Sequence, residues 1–412
     1  MKILLISRSD LRGGAAVFTY RLMVGLRRIG VDARMLVLEK RSANPFVGTY
    51  AISLLDKFCF LAERAEIFLQ NGFTRQTLFQ VDTAHYGRDL SQHPWVIEAD
   101  VVMLNWFNQG ALSMKSVERI LASGKLTLFT LHDMWPLTGI CHHAYDCKGY
   151  EQRCGKCPLL KSSSPTDLSH SVWTEKQRLY QVPNLHFVAV SQWLKSKCQN
   201  SSLLAHHNVT VIPNAVNQLD LPDTSSLALN TTLNTIKAQR QNNCKILVLA
   251  AARIDDPVKG FHLLTDALAQ LKDANLHLLL IGNLKNPACL EQVPVNYTYV
   301  GPIAPAEVFQ ILQHSDVVIS SSHYESFGGT LVEGMLAGCV PVSFNNGGQT
   351  DIITHLQTGY LAQYPSTADL ARGIQWAMYS APAKQHLKTE AQNRFSEESV
   401  ANAYVALIES LL

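Results

Sequence analysis

The stretch "DVVISSSHYESFGGTLVEGMLAGCVPVS", residues 316–343, decides the fold. It opens on a short continuous apolar run, turns on HYESFGG, and continues as the small-residue helical pattern TLVEGMLAG, ended by Gly338. A second apolar run, CVPVS (339–343), follows at once. Strand, glycine turn, helix and strand in this order form the repeating unit of a parallel sheet covered by helices. The turn also separates two carboxylates, Glu325 and Glu333, with seven residues between them. The first N–H groups of a helix lack partners inside it, so those of Gly329, Thr330 and Leu331 are expected to face an anion.

The same style runs outward in both directions. KILVLAA (245–251) and LHLLLIG (276–282) join the run at 316–321 in the C-terminal half; KILLIS (2–7), DVVMLN (100–105), LTLFTL (126–131) and HFVAV (186–190) form a second series in the N-terminal half. Two such series predict an α/β chain of two Rossmann-like, doubly wound domains, over 1–215 and 216–390. The Asn-, Thr- and Ser-rich stretch at 213–243 reads as the connection. Ligands bind beyond the carboxyl ends of such strands, so two sheets facing one another would form a cleft.

Composition removes several classes. The 412 residues carry a net charge of +2, from 35 Lys+Arg against 33 Asp+Glu, which is no footprint for nucleic acid. No window reaches the ~18 uninterrupted apolar residues of a membrane span. The opening MKILLIS stops at RSDLRGG and reads as a strand rather than a signal peptide, so a cytoplasmic protein is expected. AISLLDKFCFLAERAEIFLQ (51–70) is strongly apolar, with Lys57 and Arg64 interrupting it. It reads as a buried helix, with a membrane-surface helix as the alternative, and residues 51–75 are the candidate for peripheral contact with the inner face of the cytoplasmic membrane.

Four further motifs carry chemistry. Gly13 and Gly14 follow the first strand and let backbone approach a ligand, although the Gly-x-Gly-x-x-Gly spacing of dinucleotide folds is missing. His132 and Asp133 fall just past LTLFTL, where an imidazole can hold a hydroxyl or move a proton, or where the pair can simply cap a loop. Arg253 ends an apolar run and Lys259 follows six positions later; two cations there suit a diphosphate. Asn283 ends the next strand as a hydrogen-bonding group. Glu333, about one turn into its helix, can take the paired hydroxyls of a ribose. Glu325 and Glu333 could instead form a hydrolytic acid/base pair, but a phosphate cradle between them fits nucleotide binding better.

This combination resembles the GT-B glycosyltransferases of family 4, over nearly the whole chain. The resemblance rests on the glycine loop at 13–14, His132, Arg253 with Lys259, and Glu325-x7-Glu333 enclosing SFGG. It implies retaining transfer of a hexose from a nucleotide-diphosphate sugar to a saccharide acceptor, with no cofactor needed for catalysis. Carried over position by position, Arg253 and Lys259 neutralise the leaving diphosphate, with Asn283 beside them. Glu333 holds the donor ribose, the amides at 329–331 hold phosphate, Glu325 contacts the donor sugar, and His132 stands with Glu325 at the reaction centre. Gly13 and Gly14 lie near the phosphates from the N-terminal, acceptor-binding domain. The segment 391–412 resembles the family's closing helix, which returns to that domain. LHDMWPLTGICHHAYDCKGYEQRCGKCPLL (131–160) is similar to the colanic acid and exopolysaccharide subgroup, which implies surface-polysaccharide or lipopolysaccharide assembly on polyprenyl-diphosphate-linked acceptors.

Cys141, Cys147, Cys154 and Cys157 are spaced C-x5-C-x6-C-x2-C, which admits a structural zinc, disulfides, or unligated thiols. In each case the segment is expected to stiffen a loop on the acceptor side. The other five cysteines, Cys59, Cys198, Cys244, Cys289 and Cys339, read as small core residues. Two competing classes remain: a zinc-ribbon nucleic-acid-binding protein, disfavoured by the charge balance, and a non-catalytic sugar-nucleotide binder.

Overall fold

The computed structural model describes the chain except residues 51–53, 163, 218–225, 272–273 and 381. It divides into two compact units: Met1–Ala215 with Val400–Leu412, and Val216–Ser399.

The first unit is a parallel sheet of strands β1 (Lys2–Ser9), β2 (Asp32–Glu39), β3 (Val47–Thr49), β4 (Val101–Leu104), β5 (Leu126–Leu131), β6 (Leu185–Ala189) and β7 (Val209–Val211). Their order across the sheet is β3-β2-β1-β4-β5-β6-β7. Ile3, Leu5, Val101, Met103 and Leu128 are buried on the strands because helices cover both faces. The C-terminal helix Glu397–Leu411 supplies Val400, Ala401, Tyr404 and Ile408 to the same core, a helical stripe of one face. Tyr404 is tied there by its hydroxyl to Thr130 Oγ1 at 3.3 Å. Ser396, in extended conformation, separates this helix from Lys384–Phe395, which packs within the second unit, so the returning segment starts later than 391.

The second unit is a parallel sheet of β8 (Lys245–Arg253), β9 (Leu276–Asn283), β10 (Tyr297–Gly301), β11 (Val317–Ser320), β12 (Val340–Phe344) and β13 (Tyr360–Ala362), in the order β10-β9-β8-β11-β12-β13. Both sheets therefore have a switch point, between β1 and β4 and between β8 and β11, where successive connections leave in opposite directions. Two strand ends splay apart there and leave room for a ligand.

Two expectations fail locally. Residues 227–241 are a helix rather than part of an irregular connection, with Ser226 accepting from the Leu229 N–H and Leu229, Thr232 and Ile236 buried. The stretch is poor in large apolar residues because one narrow stripe suffices. The helix Leu54–Gln70 is not buried: Leu54, Phe58 and Leu61 are 86%, 61% and 62% exposed. Residues 51–53 of that segment lie outside the described residues. Among the described residues no helix is long and apolar enough to cross a membrane.

Candidate active site

In the second unit, the carboxyl ends of β8 and β11 carry most of the expected residues. Arg253 closes β8, and its Nη2 donates to Asp256 Oδ2 at 2.6 Å, with Asp255 Oδ1 3.7 Å from Nε. Asp256 also accepts from the Val258 N–H, capping the short helical turn Pro257–Lys259. Lys259 leaves that turn and donates through Nζ to Glu325 Oε1 at 2.8 Å. Ser322 donates to the same oxygen at 2.6 Å. Gly260 must be glycine: its φ is +56°, and a Cβ would stand 2.3 Å from the Ser321 carbonyl. That close approach holds the loop after β8 against the loop after β11, which is how residues 66 positions apart come into contact.

The two cations are thus each paired with a carboxylate of their own unit. An ammonium held by a single partly exposed carboxylate can be re-partnered, because such pairs are worth only about 0–1 kcal/mol. A diphosphate offers more charge than Glu325 and can take Lys259 over while Ser322 keeps the carboxylate in place.

Gly328, at φ +101°, begins the helix Gly329–Ala337 with no side-chain cap. The amides of Gly329 and Thr330 precede its ladder. The Leu331 amide does not serve as expected: it donates back to the Gly328 carbonyl at 2.9 Å. Leu331 itself is buried. Glu333 is half-buried on this helix. The neighbouring Gly334 faces β11 so closely that a Cβ would meet Val318 Cγ1 at 2.3 Å, which explains the small-residue pattern. Asn283 braces rather than waits: its Nδ2 donates to the Ala252 carbonyl at 3.0 Å across the β8–β9 end.

In the first unit, Gly13 (φ +93°) opens the uncapped helix Gly14–Arg28 after β1, and both glycines are exposed. His132 follows β5, and its Nε2 faces Asn105 Oδ1 at 3.0 Å. The Asn105 amide nitrogen donates to the Met103 carbonyl at 3.2 Å, so Oδ1 is the atom left for His132. Nε2 must then carry the proton, and Nδ1 is an acceptor. Burial lowers the His132 pKa to about 4, so the ring is neutral near pH 7. Its Nδ1 has no partner among the described residues, nor has Asn108 Nδ2, and both residues line one small recess with Trp106, Thr130 and Asp133. This imidazole can accept a hydrogen bond or a proton; it cannot give one up from Nδ1.

Asp133 is held differently. Trp106 Nε1 donates to its Oδ2 at 2.9 Å, the Trp135 N–H to its Oδ1 at 2.8 Å, and His142 Nδ1 stands 2.7 Å from Oδ2. The other nitrogen of His142 faces Asp82 Oδ2 at 2.5 Å. A ring between two carboxylates carries both protons; burial opposes that charge, but Asp133 and Asp82 outweigh it and push His142 up to about 10. Burial alone would raise Asp133, yet His142 and the Trp135 amide bring it down to about 2. Sequence spacing gave no sign of this chain of groups, because Asp82 lies 60 residues from His142. Lys176 was equally hidden: fully buried, its Nζ donates to the carbonyls of Trp135, Thr138 and Gly139 at 2.6, 3.1 and 2.9 Å, clamping the turn after His132.

The cysteine segment follows that turn. Gly139 N–H donates to Cys154 Sγ at 3.3 Å, Gly149 N–H to Cys147 Sγ at 3.4 Å, and Cys141 forms an isolated antiparallel bridge with Val81. Burial raises the thiol of Cys141 to about 12 and those of Cys154 and Cys157 to about 11. All nine cysteines are free thiols. Among the described residues no group of three or more His, Cys, Asp or Glu side chains is placed as a bound metal ion would hold them. Cys289 is half-buried rather than a core residue.

Residues 233–394 match the family described as Glycosyl transferases group 1. The chain is 27% identical over 138 residues to 2-deoxystreptamine N-acetyl-D-glucosaminyltransferase of Niallia circulans, covering 34% of this chain and 33% of that one. It is 33% identical over 96 residues to the putative colanic acid biosynthesis glycosyl transferase WcaC of Escherichia coli K12, covering 21% and 22%. The chain thus spans a third or less of the length of these two relatives. In structure it is similar to Anabaena HepE in complex with UDP-glucose, with a TM-score of 0.62 at 18% identity over 100% of both chains. The match to that family thus lies within the second unit, and the chain as a whole shares the two-Rossmann GT-B fold seen in HepE.

Proposed function

We propose that this chain is a retaining family 4 glycosyltransferase that moves a hexose from a nucleotide-diphosphate sugar to a saccharide acceptor carried on polyprenyl diphosphate, in bacterial surface-polysaccharide biosynthesis. The observation that carries the reading is the meeting of Lys259, Glu325 and the uncapped helix at Gly329 on the β8–β11 switch point, with Arg253 at the end of the same strand. HepE, of like fold, was crystallised with UDP-glucose, and the WcaC relative is named for colanic acid biosynthesis; both support donor and pathway class.

In this reading Arg253 and Lys259 take the diphosphate, the amides of Gly329 and Thr330 take its oxygens, and Glu333 takes the ribose. Glu325, released from Lys259 by the incoming phosphate and still held by Ser322, contacts the donor sugar. His132 presents its unprotonated Nδ1 to a hydroxyl, which suits an acceptor of a hydrogen bond or proton and not a general acid. No metal is required, because two cations and a helix terminus already answer the developing charge.

The test is donor binding and transfer by variants of the full chain. Arg253→Ala and Lys259→Ala should each weaken nucleoside-diphosphate binding about 10- to 100-fold, the worth of a charge-assisted hydrogen bond. Glu325→Gln should keep donor binding and lose transfer. A Glu325→Gln protein with unchanged biological output would make the chain a non-catalytic binder.

A further inference from the structure

The helix Leu54–Gln70 is built inside out. Its acids and Arg64 turn inward: Asp56 pairs with Arg88 at 3.3 Å, Glu63 accepts from the Thr83 and Ala84 amides at 3.0 and 2.7 Å, and Arg64 lies 3.1 Å from Glu63 and on Asp82. Glu66 stands 2.7 Å from His85 Nδ1. Its outer stripe is apolar, with Leu54, Phe58, Leu61 and Leu69 exposed by 58–86%, and the turn beyond adds Phe73 at 69% and Phe79 at 61%. A helix of a water-soluble surface has the opposite arrangement.

The charges that border this face have one sign. Lys57 and Arg75 are exposed, and the stem of the exposed Lys161 lies against Gly72, just past the helix. Asp56 and Glu63 are buried and Glu66 is only 19% exposed, so among the described residues of 54–79 no acid is exposed. A second copy of this chain would bring the same cations to the contact and no exposed acid from this face to meet them.

We propose that this face docks on an anionic phospholipid surface, with Phe58, Leu61, Leu69 and Phe73 in the acyl boundary and Lys57, Arg75 and Lys161 at the phosphates. A single anchoring signal gives only marginal membrane binding; an apolar stripe together with a cationic rim supplies two. The inward ion pairs fix the orientation, because rotating the helix to hide its leucines would expose the unit's buried carboxylates. The inference does not depend on the transferase reading, since neither donor nor acceptor enters it.

The test is sedimentation of the full chain with vesicles of phosphatidylcholine alone and of phosphatidylcholine with phosphatidylglycerol. The expected result is binding to the anionic vesicles that weakens with salt, and at least about tenfold weaker binding to the neutral ones, roughly fivefold being lost per cation at most. Phe58→Gln with Leu61→Gln should lower binding about tenfold or more while nucleoside-diphosphate binding and the melting curve stay unchanged. Lys57→Glu with Arg75→Glu should remove the preference for the anionic lipid. Absence of vesicle binding, equal binding by the Phe58→Gln/Leu61→Gln protein, or a concentration-dependent dimer abolished by that pair of changes would overturn the proposal.

Discussion

Replacing Lys176 by Met removes one ammonium and keeps a similar apolar stem. The carbonyls of Thr138 and Gly139 then lose this donor, while that of Trp135 keeps the longer bonds from the Thr138 amide and hydroxyl at 3.3 and 3.4 Å. A buried unsatisfied acceptor costs about 1–3 kcal/mol, so the gross loss over these two is roughly 2–6 kcal/mol. Against this stands the burial of the ammonium itself, whose desolvation pulls its pKa down to about 7 and is relieved in the variant. The contact of Nζ with the Trp135 ring, 3.3 Å from the centroid, is also lost. The net expectation is destabilisation by about 2–4 kcal/mol, or roughly 5–15 °C in the melting of a unit this size. Urea unfolding followed by tryptophan fluorescence reads it, with the midpoint falling and the slope unchanged. Because the clamped turn begins three residues after His132, transfer should fall further than stability alone explains. A Lys176→Met protein as stable as the parent, or more so, would refute the clamp: desolvation would then outweigh the three bonds.

Three other perturbations follow from the same contacts. Gly334→Ala drives a Cβ to 2.3 Å from Val318 and should cost about 1–3 kcal/mol while weakening donor binding, measured by calorimetry of the variant with and without nucleotide. His85 lies between Glu66 and Glu175; burial opposes its charging, but the two carboxylates raise its pKa from 6.5 to about 9. Its stabilising contribution is fully present below about pH 6.5 and fades as pH rises through 9. His85→Gln should flatten the stability profile between those limits, and an unchanged slope would contradict the pairing. Treatment with a zinc chelator should leave the melting curve in place, and thiol titration of the unfolded protein without reductant should count nine free groups.

The strands of the deep core were legible because burial on both faces leaves little but Ile, Leu, Val and small residues, as in KILLIS and DVVISS. Of the missed strands, β3, β7 and β13 have only three residues each, too few for periodicity to show, while β2 (DARMLVLE) is opened and closed by charged residues and β10 (YTYVG) has exposed tyrosines instead of a buried apolar run. The residues after β8 and β11 could be read as neighbours because a doubly wound sheet brings those strand ends together whatever the loops do. What could not be read was partnership. Lys259 with Glu325, His142 with Asp82, and Lys176 with the 135–139 carbonyls are contacts set by loop conformations, with no local spacing rule. The Leu54–Gln70 helix misled because composition reports how apolar a helix is, while the side on which its charges find partners decides which face is buried.

The central claim is that the β8–β11 switch point binds a nucleoside-diphosphate sugar. Its most direct test is titration of the full chain with UDP-, GDP-, ADP- and dTDP-sugars while following thermal unfolding. One of them should stabilise the protein by about 2.7 kcal/mol at a hundredfold excess over its dissociation constant, and Arg253→Ala should cut the shift to about 0.4–1.4 kcal/mol at the same concentration. A melting curve that no nucleotide sugar moves would contradict the account.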